Sequence, residues 1–231
     1  MLDRRCEDAQ AALSGLADGA SIAVSGFGEA GRPNTLLAAV LAMGVKDLHV
    51  ISNNPGEGEV GLAPLFLHGR VARLTCSFPR GALGAIVESQ VRAGDLVVEV
   101  VPQGTLAERI RAAGAGIPAF YTPTGYGTAV AEGKETREFG GRGHVLELAL
   151  PADVALVKAR QGDRWGNLTY DQTARNFGPI MATAGRRTVV EVDEIVPLGE
   201  LDPERVVTPG IFVDAIITTQ PITEARWRPA A

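Results

Sequence analysis

The chain predicts an α/β fold: an open, mostly parallel sheet with helices on both faces. Three observations predict it. Apolar runs of strand length alternate with runs of helix length along most of the 231 residues. Three of the early strands empty directly into loops of glycine, asparagine or Pro-Gln-Gly, which places those loops on one rim, where such sheets bind ligands. A hydrophobic fraction of 45%, with no repeat, suits a single buried core.

In chain order, an amphipathic pattern predicts a helix over Arg4–Leu16. Ser21–Val24 is a short apolar strand. Gly26, Gly28 and Gly31 follow it, and Pro33-Asn34 launches a helix over Thr35–Met43, because the fixed φ of proline suits a first turn. Strand Leu48–Ile51 ends in Ser52-Asn53-Asn54. Strand Ala72–Cys76, helix Leu83–Ala93, strand Leu96–Val101 and helix Thr105–Ala113 continue the alternation, with Pro102-Gln103-Gly104 joining the last two. Ala119–Thr122 reads as another strand. Thr124-Gly-Tyr-Gly-Thr128 and Phe139-Gly-Gly-Arg-Gly143 break the pattern, so Thr122–Glu147 is expected to be an irregular excursion or hairpin. Val154–Ala159 and Thr188–Val196 complete the strands. Residues 1–217 are read as one domain and 218–231, which lose periodicity, as an irregular tail.

The most informative stretch is Ser21–Asn34, a strand, a bare loop and a helix N-terminus in sequence: a site for an anion or a developing oxyanion. Gly26-x-Gly28-x-x-Gly31 also matches the spacing of a dinucleotide fingerprint. A Rossmann-type dehydrogenase would need an acidic residue at the end of the next strand to hold the ribose. Here that strand ends in Ser52-Asn53-Asn54, which offers hydrogen bonds but no charge. Asn53, Asn54 and Gln103 are neutral amides in strand-end loops, able to meet a carboxylate or oxyanion without adding a competing charge; turn formation is their plainer role.

Composition excludes several classes. The formal net charge is −5 and the 22 basic residues are dispersed, which argues against a nucleic-acid partner. No apolar run approaches the roughly 20 residues that span a bilayer, and nothing near Met1 resembles a signal peptide, so no membrane and a cytoplasmic location are expected. Two cysteines, Cys6 and Cys76, are too few for a disulfide framework. His49, His68 and His144 lie far apart, so no metal site is expected, and His49 reads as a structural histidine within a strand.

From Gly19 to Val213 the chain resembles the A-type half of the family I coenzyme A transferases. The residues that carry the likeness are Ser25-Gly-Phe-Gly-Glu-Ala-Gly-Arg-Pro33, Ser52-Asn-Asn54, Val101-Pro-Gln-Gly-Thr-Leu-Ala-Glu-Arg-Ile110, Phe120-Tyr-Thr-Pro-Thr-Gly125, Ala131-Glu-Gly-Lys134, Gly166-Asn-Leu-Thr-Tyr170, Ala174-Arg-Asn-Phe177, Gly199-Glu-Leu-Asp-Pro203 and Thr208-Pro-Gly-Ile-Phe212. One departure heads the loop, where the family usually has glycine and this chain has Ser25; residue 25 is therefore expected not to need positive φ. Gly58–Leu62, Cys76–Arg80, Gly125–Gly127 and Gly162–Tyr170 lean toward the branch whose acceptor is 3-oxoadipate, the acetoacetate-using branch being the alternative.

The resemblance implies ping-pong transfer of CoA from succinyl-CoA to a 3-oxo acid, through a glutamyl-CoA thioester. Its nucleophilic glutamate belongs to the B subunit in a Ser-Glu-Asn-Gly context, and this chain contains no Glu-Asn-Gly. It therefore implies half an enzyme, with no catalytic nucleophile of its own, no permanently bound cofactor, a CoA thioester as substrate and a B-subunit partner, in an A2B2 heterotetramer. The segment assigned by resemblance to CoA or substrate is Ser25, Gly26, Phe27, Gly28, Glu29, Ala30 and Gly31, with Asn53, Asn54, Gln103 and Gly104 on the same rim. Glu29, the one tempting internal nucleophile, lacks the family's flanking residues. Glu108 is expected to form surface ion pairs beside Arg109 and Arg111. Arg80 is the candidate contact for the second carboxylate of 3-oxoadipate. A non-catalytic, sugar-isomerase-like regulatory domain is the remaining alternative.

Overall fold

A computed structural model describes residues 2–221. The strands are β1 (Ser21–Val24), β2 (Leu48–Ile51), β3 (Val71–Cys76), β4 (Val97–Val100), β5 (Ala119–Thr122), β6 (Thr136–Phe139), β7 (Arg142–Leu148), β8 (Ala152–Asp163), β9 (Leu168–Thr169), β10 (Gly185–Val196) and β11 (Ala215–Thr218). The helices are α1 (Ala9–Ala12), α2 (Asn34–Met43), α3 (Ala63–Leu67), α4 (Gly84–Ala93), α5 (Gln103–Gly114) and α6 (Gly178–Ala184).

The main sheet runs β11-β10-β8-β1-β2-β3-β4, every pair parallel, with β9 folded back antiparallel on β8. Alternating residues sort the core into two layers, as period-2 strands require. Ile22, Val24, Leu48, Val50, Val154 and Leu156 face α1–α4, whereas Ala23, Ile51, Ala155 and Val157 face α5 and α6. Both faces are thus covered, and the open α/β architecture is the one expected.

Three expectations are corrected. The first helix covers only Ala9–Ala12, capped by Asp8, whose carboxylate accepts from Ala11 N–H at 2.8 Å. The residues before it pair with β11 instead: Cys6 N–H donates to Ile216 O and Ile216 N–H to Arg4 O. Backbone pairing to a remote strand outweighs the local helical pattern. Second, Ala119–Thr122 is a strand, but it belongs to a separate antiparallel sheet, β5-β7-β6, in which the glycine-rich excursion closes as the β6–β7 hairpin. Third, α3, α6, β9 and β11 arise in stretches where the sequence pattern predicts no element. Residues 222–231 of the expected tail lie outside the described residues.

Buried ions lock the small sheet to the large one. Arg109 on α5 bonds Glu99 of β4 at 2.6 Å and Leu148 O at 2.8 Å, and lies 3.9 Å from Glu147 of β7, which Lys134 meets at 2.7 Å. Glu108 pairs with Arg111 at the surface as expected, while Arg109 turns inward. His49 bonds Thr75 Oγ1 at 2.9 Å; burial, then Arg73, holds its pKa below the usual value, which fits a structural histidine.

Candidate functional site

The C-terminal ends of β1, β2, β3 and β4 form one rim, and the structure divides the expected residues there into two groups. Asn53 sits at the centre of the first. Its Oδ1 accepts from Gln103 Nε2 at 2.8 Å and from Ser77 Oγ at 2.7 Å, and its carbonyl accepts from the Ser77 and Phe78 amides. One buried asparagine therefore ties together the chain leaving β2, β3 and β4. The Asn53 Nδ2 and Gln103 Oε1 carry no hydrogen bond among the described residues. Gln103 is exposed at the first turn of α5, where Pro102 is the N-cap, and a Cβ added at Gly104 would meet open space. Asn53 Nδ2 and the backbone N–H groups of that first turn are the donors left to meet negative charge, whereas Gln103 Oε1 can only accept. Ser77 lies inside the Cys76–Arg80 stretch that carries the branch resemblance, but nothing in its spacing marks it as a partner of Asn53.

The second group is the glycine loop. Ser25 is 1% exposed and its side chain is committed: Oγ donates to Gly31 O at 2.7 Å and accepts from Lys158 N–H at 3.0 Å. As expected, it has no positive φ, whereas Gly26 (+125°), Gly28 (+59°) and Gly31 (+76°) do. Gly31 has a second reason to be glycine, because a Cβ there would lie 2.2 Å from Ala174 O. Phe27 N–H closes the turn on Ala30 O, and the Phe27 side chain is half exposed. With Ala30, Gln172, Thr173, Arg175 and Asn176 it lines an open hollow of about 560 Å³.

Arg32 joins the two groups. Its Nη2 donates to Asn54 Oδ1 at 3.0 Å and to Gly28 O, and its Nε to Gly28 O at 3.1 Å. Asn54 Oδ1 also accepts from Gly56 N–H at 3.0 Å, so Asn54 shapes the turn rather than facing the rim freely. Glu29 is exposed and lies 3.7 Å from Arg32.

The helix N-terminus expected to receive an anion already holds one. Glu191 of β10, 1% exposed, accepts from the Thr35 and Leu36 amides of α2 through Oε2 at 2.7 and 3.2 Å. Burial pushes its carboxyl above the ordinary glutamate range, against the pull of Lys158. An external anion at the glycine loop must therefore use loop amides rather than the first turn of α2. Glu191 stands 156 and 155 residues away in sequence from the two amides it caps, and no local signal marks it.

Arg80 makes no hydrogen bond or ion pair with either group among the described residues. It lines a groove of about 340 Å³ with Pro79, Val87, Glu88, Val91 and Val98, between α4 and β4. Burial pushes the Cys76 thiol up to about 11, consistent with a packing residue. Among the described residues no cluster of three or more His, Cys, Asp or Glu could hold a metal, and no helix is long and apolar enough to cross a membrane. The Gly166–Tyr170 and Thr208–Phe212 motifs serve each other: Leu168 N–H bonds Thr208 O, Tyr170 pairs with Thr208, and Gly210 packs where a Cβ would lie 2.3 Å from Trp165 O.

A parallel sheet whose strand ends gather amides beside a clamped glycine loop defines the site, and the coenzyme A transferase family model matches residues 6–219. The chain belongs to that family. It is 55% identical over 217 residues to the A subunit of the 3-oxoadipate CoA-transferase of Pseudomonas putida, covering 94% of each. It is 52% identical over 215 residues to the A subunit of the succinyl-CoA:3-ketoacid coenzyme A transferase of Xanthomonas campestris pv. campestris, covering 93% of this chain and 88% of that one. An acyl-CoA transferase apoenzyme from Escherichia coli O157:H7 shares the fold, with a TM-score of 0.83 at 21% identity; this chain, 97% covered, spans 50% of that one.

Proposed function

We propose that this chain is the A-type half of a CoA-transferase that moves CoA from succinyl-CoA to a 3-oxo acid, 3-oxoadipate being the acceptor, with the nucleophilic glutamate supplied by a B subunit in an A2B2 assembly in the cytoplasm. The reading that succinyl-CoA is the donor and acetoacetate the acceptor is the alternative, since relatives of both kinds match at similar identity. The observation that carries the proposal is the Asn53–Gln103–Ser77 contact at the start of α5, which leaves amide groups at the rim of a chain that contains no Glu-Asn-Gly. Glu191 is spent on α2 and Glu29 faces Arg32.

On this reading the chain's residues bind and orient. The Gln103 and Asn53 amides and the first turn of α5 meet the acyl carboxylate or the oxyanion as thioester and anhydride interconvert, and the glycine loop lies along the CoA thioester. The partner's carboxylate attacks the succinyl thioester and expels CoA thiolate to give a mixed anhydride; the thiolate then attacks the glutamyl carbonyl, forming the glutamyl-CoA thioester and releasing succinate, and the acceptor acid reverses the steps, so one thioester replaces another without ATP.

The chain purified alone is expected to be inert and to gain activity on co-purification with its B subunit, followed as CoA transfer from succinyl-CoA to 3-oxoadipate and, separately, to acetoacetate. Turnover by this chain alone would sink the two-subunit reading. Faster use of acetoacetate would decide for the alternative acceptor.

A further inference from the structure

We propose that Asn176 is a positioning residue for the glycine loop, holding Gly26–Ala30 in its binding shape through the loop backbone; this rests on the reading of that loop as lying along the CoA thioester. The side chain uses its whole hydrogen-bonding capacity. Its Oδ1 accepts from Gly26 N–H at 3.2 Å and Phe177 N–H at 2.7 Å, and its Nδ2 donates to Ala30 O at 2.8 Å and Thr173 O at 3.0 Å. Two of these four bonds grip opposite ends of one turn, 146 and 150 residues away in sequence, and two fasten the grip to the segment entering α6. The same segment meets the loop again where Gly31 closes on Ala174 O. Glu191 anchors the helix behind the loop, Ser25 its root and Arg32 its tip, so Asn176 is its support on the side of the Phe27 hollow. The Gly28 and Glu29 amides stay uncommitted among the described residues, and their direction follows from this clamp. The Ala174-Arg-Asn-Phe177 motif, conspicuous in the sequence, acquires a role that no local chemistry suggests.

The test compares wild-type and Asn176→Asp forms of this chain, each assembled with the B subunit. Aspartate keeps both acceptor bonds but turns a second oxygen toward the Ala30 and Thr173 carbonyls, so the clamp opens on one side only. KM for succinyl-CoA is expected to rise about 10-fold with kcat within about twofold, the pattern of a lost ground-state fit. Amide hydrogen exchange of the peptide covering residues 25–32 is expected to rise about 10-fold, with β8 unchanged. Unchanged exchange in that peptide, unchanged KM, or a fall in kcat at constant KM overturns the proposal. If the aspartate variant does not assemble, Asn176→Ser, whose shorter side chain reaches neither Gly26 N–H nor Ala30 O, is read the same way. Wild-type turnover of succinyl-CoA tests the functional reading separately, and the exchange measurement does not depend on it.

Discussion

Gln103 is the residue whose substitution reports most directly on the rim. It is exposed, and among the described residues the one side-chain hydrogen bond it makes is to Asn53. Gln103→Ala is expected to lower kcat/KM by roughly 10- to 1000-fold, the range for losing a preorganised donor near developing charge, with little change in melting temperature. Wild-type kinetics in the assembled variant would remove Gln103 from the site. Arg80 tests acceptor choice. Its groove between α4 and β4 is separate from the Asn53 cluster, so a role requires the acceptor's distal carboxylate to extend past Phe78. If it does, Arg80→Ala weakens use of 3-oxoadipate by about 10- to 100-fold and leaves acetoacetate nearly unaffected, as a charged hydrogen bond of roughly 1.5–3 kcal/mol predicts. Equal effects on the two acceptors would place Arg80 outside the site.

Helix α2 shows why an element's end cannot be read by itself. Its sequence offers no side-chain cap, since Pro33 occupies the N-cap and no acidic residue falls in the first turn. The orphan amides of Thr35 and Leu36 are met instead from β10 by Glu191. Removing that carboxylate leaves two buried donors unmet and takes an anionic neighbour from Lys158. Glu191→Ala is therefore expected to cost about 2–4 kcal/mol, read as a lowered urea midpoint, with Glu191→Gln costing less because an amide oxygen still accepts. An alanine variant as stable as wild type would refute the capping role. Helix α5 contrasts with α2: its first turn stays open at Gln103 and Gly104, and it is the end that can serve a ligand.

Across the whole molecule, stability in acid depends on the seam between the two sheets. Burial alone would raise the pKa of Glu99, but the Arg109 guanidinium, helped by Arg73 and Thr75, overrides it and holds the carboxyl at about 2 against an unperturbed 4.5. The folded pKa is depressed, so this contribution to stability is present above the unfolded value and is lost as pH falls through the folded one. Glu191, with its raised pKa, acts in the opposite sense, favouring the fold most below the ordinary glutamate range. The seam predicts that stability measured by urea unfolding declines between about pH 4.5 and 2, and that Glu99→Gln flattens this limb. An unaltered acid limb in the variant would show that other carboxylates carry it.

Hydrophobic period, glycine and proline placement and the strand-end residues determined the parallel sheet, the places of β1 to β4, and the gathering of the glycine loop, Asn53 and Gln103 on one rim, because each of these follows from local backbone preference and burial pattern. Tertiary structure alone decided what those residues do there. Whether an amide is free or committed depends on partners far away in the chain: Glu191 for α2, Asn176 for Gly26 and Ala30, Lys158 for Ser25, Arg32 for Asn54. The shortening of the helix expected over Arg4–Leu16 to Ala9–Ala12 has the same origin at its N-terminal side, since β11 supplies backbone partners that a local pattern does not contain. Hydrogen bonds are short-ranged in space and indifferent to separation along the chain, so the sequence could place the rim while only the folded chain could apportion its donors.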